Sequence, residues 1–382
     1  MLQRAPKADA GRFAALLKHG QSPWLDFINR THTEDGSLKR MVEHDGLHGM
    51  TSNPAIFEKT MGYGHAYDAQ IRKILAKHRV TAGELYEELA VTDIRAAADI
   101  LRPVFDATDG ADGHVSLEVS PLLAHDAEGT IAEARRLWKA VNVPNLMIKI
   151  PGTAAGARAI EQVTAEGINV NVTLLFAQDA YHAVLEAYVR GLERRLDAGH
   201  SISRIASVAS FYIGRVDLLV DEIIDRKIAK GEGDAAMLKA LRGKVAIANA
   251  KLAYEHWEKV MASARWKKLA AAGADTQRIL WASTSTKDKT YRDVVYVEEL
   301  VAPDTVNTMP LPTYDAFRDH GEVRREMVRD YPEAHRVLKQ LAECGIDLKS
   351  VTDKLLKDGL AGFDEAFENL HKTLERKIET LA

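Results

Sequence analysis

Two textures alternate along this chain. Segments in which apolar residues recur every second position, or run on unbroken, fall at 23–28, 47–52, 114–120, 146–150, 168–174, 204–210, 278–283 and 305–309. Between most of them apolar residues recur every three or four positions, at 66–78, 82–101, 131–141, 156–164, 178–198 and across 216–269. The first texture predicts strands and the second amphipathic helices. Strands alternating with helices imply βα units and a parallel sheet. Eight such units predict a closed (β/α)8 TIM barrel, a fold of about 250 residues before insertions. The surplus of this 382-residue chain is assigned to helical insertions at about 54–112 and 216–274 and to a helical tail over about 315–382, all within one domain, 1–382. The tail is expected to cover the barrel bottom.

An open, doubly wound eight-stranded sheet is the competing architecture, and the strand faces separate the two. Such a sheet is buried by helices on both sides, and its strands read as continuous apolar runs. Here Ser116, Glu118 and Ser120 share one face of their strand and Val115, Leu117 and Val119 the other. Asn169, Asn171 and Thr173 alternate with Ile168, Val170, Val172 and Leu174, and Lys149 shares its face with Met147. One polar face per strand, with charge toward the C-terminal end, fits a barrel whose lumen opens on a site.

Composition narrows the class. Lys plus Arg number 51 against 55 Asp plus Glu, a net charge of −4, so the chain has no global electrostatic reason to seek nucleic acid or an anionic membrane. A single cysteine, Cys344, excludes an internal disulfide or a multi-thiolate metal cluster. The opening MLQRAPKADAGRF lacks the apolar core of a secretory leader, and no run approaches the ~20 apolar residues of a membrane span. A cytoplasmic enzyme or binding protein is expected.

Lys149, in NLMIKIPGT, is the first candidate for chemistry. Burial disfavours an ammonium, which lowers the lysine pKa and frees the amine to attack a carbonyl. The product is a Schiff base, which Lys supports and Arg does not. Alone, such a lysine reads equally as a buried ion pair or a snorkelling side chain. Its company is Glu118, ending SLEVS, and Asp26, in PWLDFIN. Schiff-base cleavage of a carbon–carbon bond needs several proton transfers, which positioned carboxylates perform; each could instead cap a following helix. Asn171 and Thr173 share a lumen face, and Thr173 could hold a water against Glu118. Asn53 ends GMTSNP, where Asn-Pro also starts turns. Ser210 and Arg215 in ASFYIGR, with Ser283 and Lys287 in WASTSTK, supply hydroxyls and cations for a phosphate at the barrel mouth, although an arginine opening a helix is also an ordinary surface charge.

Other patterns carry less. Gly62-Tyr63-Gly64 lacks the third glycine and the preceding strand of a dinucleotide loop. His44 and His48 are four apart in a segment that reads as strand, where that spacing does not converge. Fourteen histidines without HExxH leave no metal site, and no cofactor is expected. The charges between 221 and 268 read as the solvated face of long helices.

Six segments in order, GMTSNPAIFEK, VSLEVSPLLAHD, NLMIKIPGT, GINVNVTLLFA, VASFYIGRVD and RILWASTSTKD, together resemble the transaldolase family in its longer bacterial branch, from about residue 22 to 317. The resemblance implies a (β/α)8 barrel and a cofactor-free transferase of the pentose phosphate pathway acting on small sugar phosphates. A dihydroxyacetone unit would pass from sedoheptulose 7-phosphate to glyceraldehyde 3-phosphate, giving erythrose 4-phosphate and fructose 6-phosphate. It implies that Lys149 forms the Schiff base and that Glu118 works with a water held by Thr173. Asp26 would take and return the donor hydroxyl proton, Asn53, Asn171 and Ser210 would hold hydroxyls, and Arg215 and Ser283 would grip the phosphate. Two departures stand out. Ser285 occupies the position where the shorter branch carries an arginine, so Lys287 is expected to take over as a point charge. Tyr212 stands where many transaldolases have Phe and the related fructose 6-phosphate aldolases have Tyr. Such an aldolase, and a non-catalytic sugar-phosphate binding protein, are the alternatives. Monomer and homodimer both stay open.

Overall fold

The alternating strands close on themselves. In the computed structural model, which describes residues 11–382 except 325 and 328, β1 (Gln21–Asp26), β2 (Gly49–Thr51), β3 (His114–Glu118), β4 (Leu146–Pro151), β5 (Val170–Leu175), β6 (Ser207–Tyr212), β7 (Gln277–Ala282) and β8 (Thr305–Met309) form a closed barrel. Each strand pairs in parallel with its neighbours in sequence, and β8 returns to β1. The opening stretch, where the sequence argues against a secretory leader, lies largely in 1–10, outside the described residues. Among the described residues no helix is long and apolar enough to cross a membrane.

Strand ends differ from the sequence pattern where backbone groups find side-chain partners. Asn169 precedes β5: its amide donates to the Leu146 carbonyl at 3.0 Å and accepts from the Ala206 N–H at 2.9 Å, closing the gap between neighbouring strands. β6 starts later than the sequence suggests and runs on to Tyr212, so Ser210 and Tyr212 share one face. In β5 the predicted alternation fails at Leu174. The register with β6 shifts between Val172 and Leu175, and Leu174 takes φ +59°, the extra residue of a bulge. His44 lies in a wide helical turn, Met41–Asp45, not in a strand; His48 precedes β2 and meets Asp112 at 3.1 Å.

The barrel bottom is filled by its own side chains. Asp112 accepts from the Trp24 indole N–H at 2.7 Å, from Ser22 and from His48, and Arg278 donates to Ser22 Oγ and the Thr305 carbonyl, both at 2.6 Å. Trp24 fits because its partner in the register is a glycine: a Cβ on Gly49 would lie 2.3 Å from the indole ring.

With the bottom filled, the tail goes elsewhere. The last helix, Leu348–Leu381, packs on the helix Pro54–Gly62 that follows β2, on the turn after β3 and on the end of β5, where Gly359 approaches Leu174. It therefore crosses the C-terminal ends of the strands, contrary to the expectation that it covers the bottom. The insertion at about 54–112 supplies three helices, Pro54–Gly62, Asp68–Leu75 and Ala82–Ala107. The stretch 216–274 is helical as expected, but not every charge in it is solvated: Asp221 is buried.

Gly49→Ala should lower stability by about 1–3 kcal/mol, the range for overpacking a filled core, because the Trp24 indole has no free space to move into. Chemical denaturation followed by tryptophan fluorescence measures it; an unchanged midpoint would mean the bottom layer is loosely packed.

Candidate active site

A cavity of about 440 Å³ opens at the C-terminal end of the barrel. Its walls come from the ends of β1, β2, β4, β6, β7 and β8 and from the helices that follow them, the usual place for chemistry in this architecture.

Lys149 reaches this cavity from β4. It is 3% exposed; its Nζ donates to the Ser52 carbonyl at 2.9 Å and lies 3.3 Å from Glu118 Oε2. The pairing follows from register, since Glu118 of β3 stands opposite Lys149 of β4. Burial alone pushes the ammonium down, as the sequence suggests. Glu118, with Tyr212 and Asp26, outweighs it and holds Lys149 above its ordinary value. The expectation of a lowered lysine pKa is thus corrected: in the resting site the charged form has the better partners. Glu118 moves the other way from a normal carboxylate. Burial raises it to about 7, against the pull of Lys149. A lysine proton and a carboxylate near neutrality, 3.3 Å apart, make a short proton-transfer pair.

Asp26, at the end of β1, accepts from Thr51 Oγ1 at 2.7 Å, and Thr51 meets Thr308 of β8 at 2.9 Å. Burial lifts its pKa while Lys149, the Thr51 bond and Arg215 pull it down, with a raised net value. Among the described residues, neither Asp26 nor Glu118 caps a helix with its side chain. Asn53 does: its carbonyl oxygen accepts from the Ile56 N–H at 3.0 Å, opening the helix Pro54–Gly62 while the side chain stays on the cavity wall.

The lumen polar residues form a chain behind the wall. Ser210 lines the cavity and donates to Asn171 Oδ1 at 2.8 Å, and Asn171 Nδ2 donates to Ser116 Oγ at 2.9 Å. Asn171 is fully buried, with both ends of its amide engaged, so here it orients Ser210 and does not line the cavity. Thr173 is also fully buried, and its hydroxyl meets the Tyr212 phenol at 3.2 Å. Tyr212 lines the cavity beside Lys149, while Glu118 and Thr173 stand behind them.

Cations gather at the rim. Arg215 sits in the first turn of the helix Gly214–Ala229, and Lys287 lies in the segment after β7, donating to Ser285 Oγ at 2.8 Å. Ser283 takes φ +54°, a left-handed conformation that L-residues avoid; its carbonyl accepts from the Gly214 N–H at 3.0 Å, which holds it there. Lys59, Thr51, Thr308, Ser285 and Phe363 of the tail helix also line the cavity. Burial and the nearby Arg215 and Lys59 charges push the Lys287 ammonium below its ordinary value. Lys59, Arg215 and Lys287 thus bring three cations to one cavity, a setting that favours an anionic ligand.

Those five residues were absent from the sequence-derived set. Thr308 was findable, because it lies next to the end of β8 on the face that its partner Trp24 shares with Asp26. Nothing in the pattern around Lys59 or Phe363 points to the barrel mouth, since the apolar period of the tail helix, which includes Phe363, does not say what that face packs on; only the packing of their helices brings them in. Among the described residues no group of three or more His, Cys, Asp or Glu side chains is arranged to hold a metal ion.

Comparison with known proteins places this geometry. The family model described as transaldolase/fructose-6-phosphate aldolase matches residues 23–374. A protein of Nostoc sp. named transaldolase 2 is 48% identical over 372 residues, covering 96% of this chain and 97% of that protein. The transaldolase 2 of Nostoc punctiforme is 50% identical over 376 residues, with the same coverage. A transaldolase of Parafrankia sp. is 48% identical over 364 residues, covering 95% of this chain and 97% of the relative. A buried lysine–glutamate pair toward the C-terminal end of a closed eight-stranded barrel and a match along nearly its whole length agree: this chain belongs to the transaldolase/fructose-6-phosphate aldolase family.

Proposed function

We propose that this protein is a transaldolase that carries a dihydroxyacetone unit between sugar phosphates as a Schiff base on Lys149, in the non-oxidative pentose phosphate pathway. The observation that carries the reading is the buried Lys149–Glu118 pair, 3.3 Å apart, whose lysine lines a cavity rimmed by Lys59, Arg215 and Lys287. A non-catalytic sugar-phosphate binder would need the rim cations but not an isolated carboxylate next to a buried amine.

In this reading a ketose phosphate enters with its phosphate at the rim and its carbonyl at the floor. Glu118 takes a proton from Lys149, and the amine attacks the carbonyl carbon. Returning that proton to the carbinolamine oxygen releases water and leaves the imine. Asp26 then removes the proton from the hydroxyl two carbons away. The C–C bond between them breaks, the aldose phosphate leaves, and the electron pair settles as an enamine on Lys149. An acceptor aldose phosphate reverses these steps, with Asp26 returning the proton, and water hydrolyses the new imine. Ser210, oriented by Asn171, and the Asn53 amide would hold hydroxyls of the three-carbon unit, while Arg215, Ser283 and Lys287 would bind phosphate. Sedoheptulose 7-phosphate and glyceraldehyde 3-phosphate are the proposed pair of substrates.

One contact supports a second reading, fructose 6-phosphate aldolase. The Tyr212 hydroxyl lies 3.2 Å from Thr173 Oγ1, beside Lys149, where a phenol could order the water that ends the reaction before an acceptor arrives. Glu118 favours the transferase, since at this position the sequence resembles transaldolases and not the related aldolases.

Lys149→Ala and Lys149→Arg should abolish turnover, and borohydride reduction in the presence of fructose 6-phosphate should add a three-carbon unit to the native chain only. More than trace activity in either variant would sink the Schiff-base assignment. Because Glu118 must be ionised to accept the lysine proton, kcat/KM should rise as pH climbs through about 7. Glu118→Gln should lose that limb along with about 10²-fold in kcat; a variant with the native pH profile would assign the limb elsewhere. Glyceraldehyde 3-phosphate release from fructose 6-phosphate should depend on erythrose 4-phosphate, and Tyr212→Phe should reduce any acceptor-independent release. Equal release with and without the acceptor would move the assignment to aldolase.

A further inference from the structure

The helix that opens with Arg215, Gly214–Ala229, carries three acids at four-residue spacing, Asp217, Asp221 and Asp225. That spacing puts them on one stripe of the helix. Two of them are buried, with Asp217 1% and Asp221 5% exposed, and no step of the proposed reaction uses them. Asp217 accepts from the Tyr296 hydroxyl at 2.8 Å and from the Ala246 N–H at 2.7 Å. One turn on, Asp221 accepts from the Tyr291 hydroxyl at 2.7 Å and from the Gly243 N–H at 3.3 Å. A further turn on, Arg242 joins Asp225 to Asp288, the latter at 2.9 Å.

Tyr291, Tyr296 and Asp288 belong to the segment between β7 and β8 that also carries Ser283, Ser285 and Lys287. The same two pieces of chain are already joined at the barrel end, where the Ile213 and Gly214 N–H groups donate to the Ala282 and Ser283 carbonyls, each at 3.0 Å. A Cβ on Gly214 would lie 2.6 Å from the Ser285 carbonyl oxygen, so the approach is as close as backbone allows. The carboxylates thus extend a seam of directional bonds outward from the barrel, along the helix that bears Arg215 and the loop that bears Lys287. Burial raises both carboxyls, Asp217 to about 6, so each is held at a cost in desolvation. Apolar side chains would glue a helix to a loop without that cost, but would not fix its register.

We propose that Asp217 and Asp221, through Tyr296 and Tyr291, are positioning residues that lock the Lys287 loop to the Arg215 helix and so set the spacing of the cations that grip the substrate phosphate. This rests on the reading of the rim as a phosphate site. Neither tyrosine lines the cavity, and removing only their hydroxyls leaves the floor chemistry untouched.

The test uses Tyr296→Phe and Tyr291→Phe in the full chain, with three readouts. These are KM and kcat for fructose 6-phosphate, competitive inhibition by inorganic phosphate, and borohydride trapping by unphosphorylated dihydroxyacetone. Each variant leaves a buried carboxylate oxygen without its donor, so KM and the phosphate inhibition constant should both rise by about tenfold. The value of kcat should stay within about twofold and dihydroxyacetone trapping should match the native chain, because neither depends on the seam. Tyr291 is only half-buried, so its variant carries the test should Tyr296→Phe not fold. Unchanged phosphate inhibition in the variants would overturn the positioning role alone. Trapping that falls in parallel with phosphate binding would reduce the tyrosines to general support of the fold and overturn it too. Absence of phosphate competition in the native chain would overturn the phosphate reading itself, and the positioning role with it.

Discussion

The site depends on one buried ion pair. Taking an ammonium and a carboxylate out of water costs several kcal/mol each, and only their mutual attraction with added hydrogen bonds repays it. Lys149 has Glu118 and the Ser52 carbonyl, while among the described residues Glu118 has no donor other than Lys149. This imbalance explains the two pKa directions together: the lysine rises because it is well partnered, and the glutamate rises because it is not. In the proposed reaction the amine must lose and regain a proton, and a carboxyl left near neutrality beside it would suit that reversible step.

The rest of the barrel can be understood as what keeps that pair in place and buried. Register sets Glu118 opposite Lys149, and the Asp112–Arg278 network with Trp24 closes the lumen below. Above, the bulge at Leu174 and the glycine at 359 let the tail helix lie close across the strand ends, and Phe363 reaches the cavity. In the proposed reaction such a cover would matter, because a Schiff base waiting for an acceptor is lost to hydrolysis if water arrives first.

Much of this was legible in the chain. The eight strand segments and the barrel follow from period-two polarity, which also placed Glu118, Lys149 and Thr173 on lumen faces of their strands. The errors share one origin. The tail at the mouth, the bulge at Leu174, the helical turn at His44 and the burial of Asp221 are all set by partners far away in sequence, and periodicity reports only which face of an element is apolar. Asn171 shows the same limit in the site: its strand face was legible, but only its two partners, Ser116 and Ser210, reveal that it orients a neighbour.

By itself, then, the sequence determined the element order, the closed parallel topology and the identity of the residues at the strand ends, because these follow from local alternation and short-range chirality. The tertiary structure alone decided their protonation and their company. Whether Lys149 rests charged depends on a carboxylate 31 positions away in the chain and 3.3 Å away in space. Whether Lys59, Lys287 and Arg215 surround one cavity depends on helix and loop packing, to which one-dimensional patterning is blind. Electrostatic energy falls with distance through space, and only the folded chain fixes that distance.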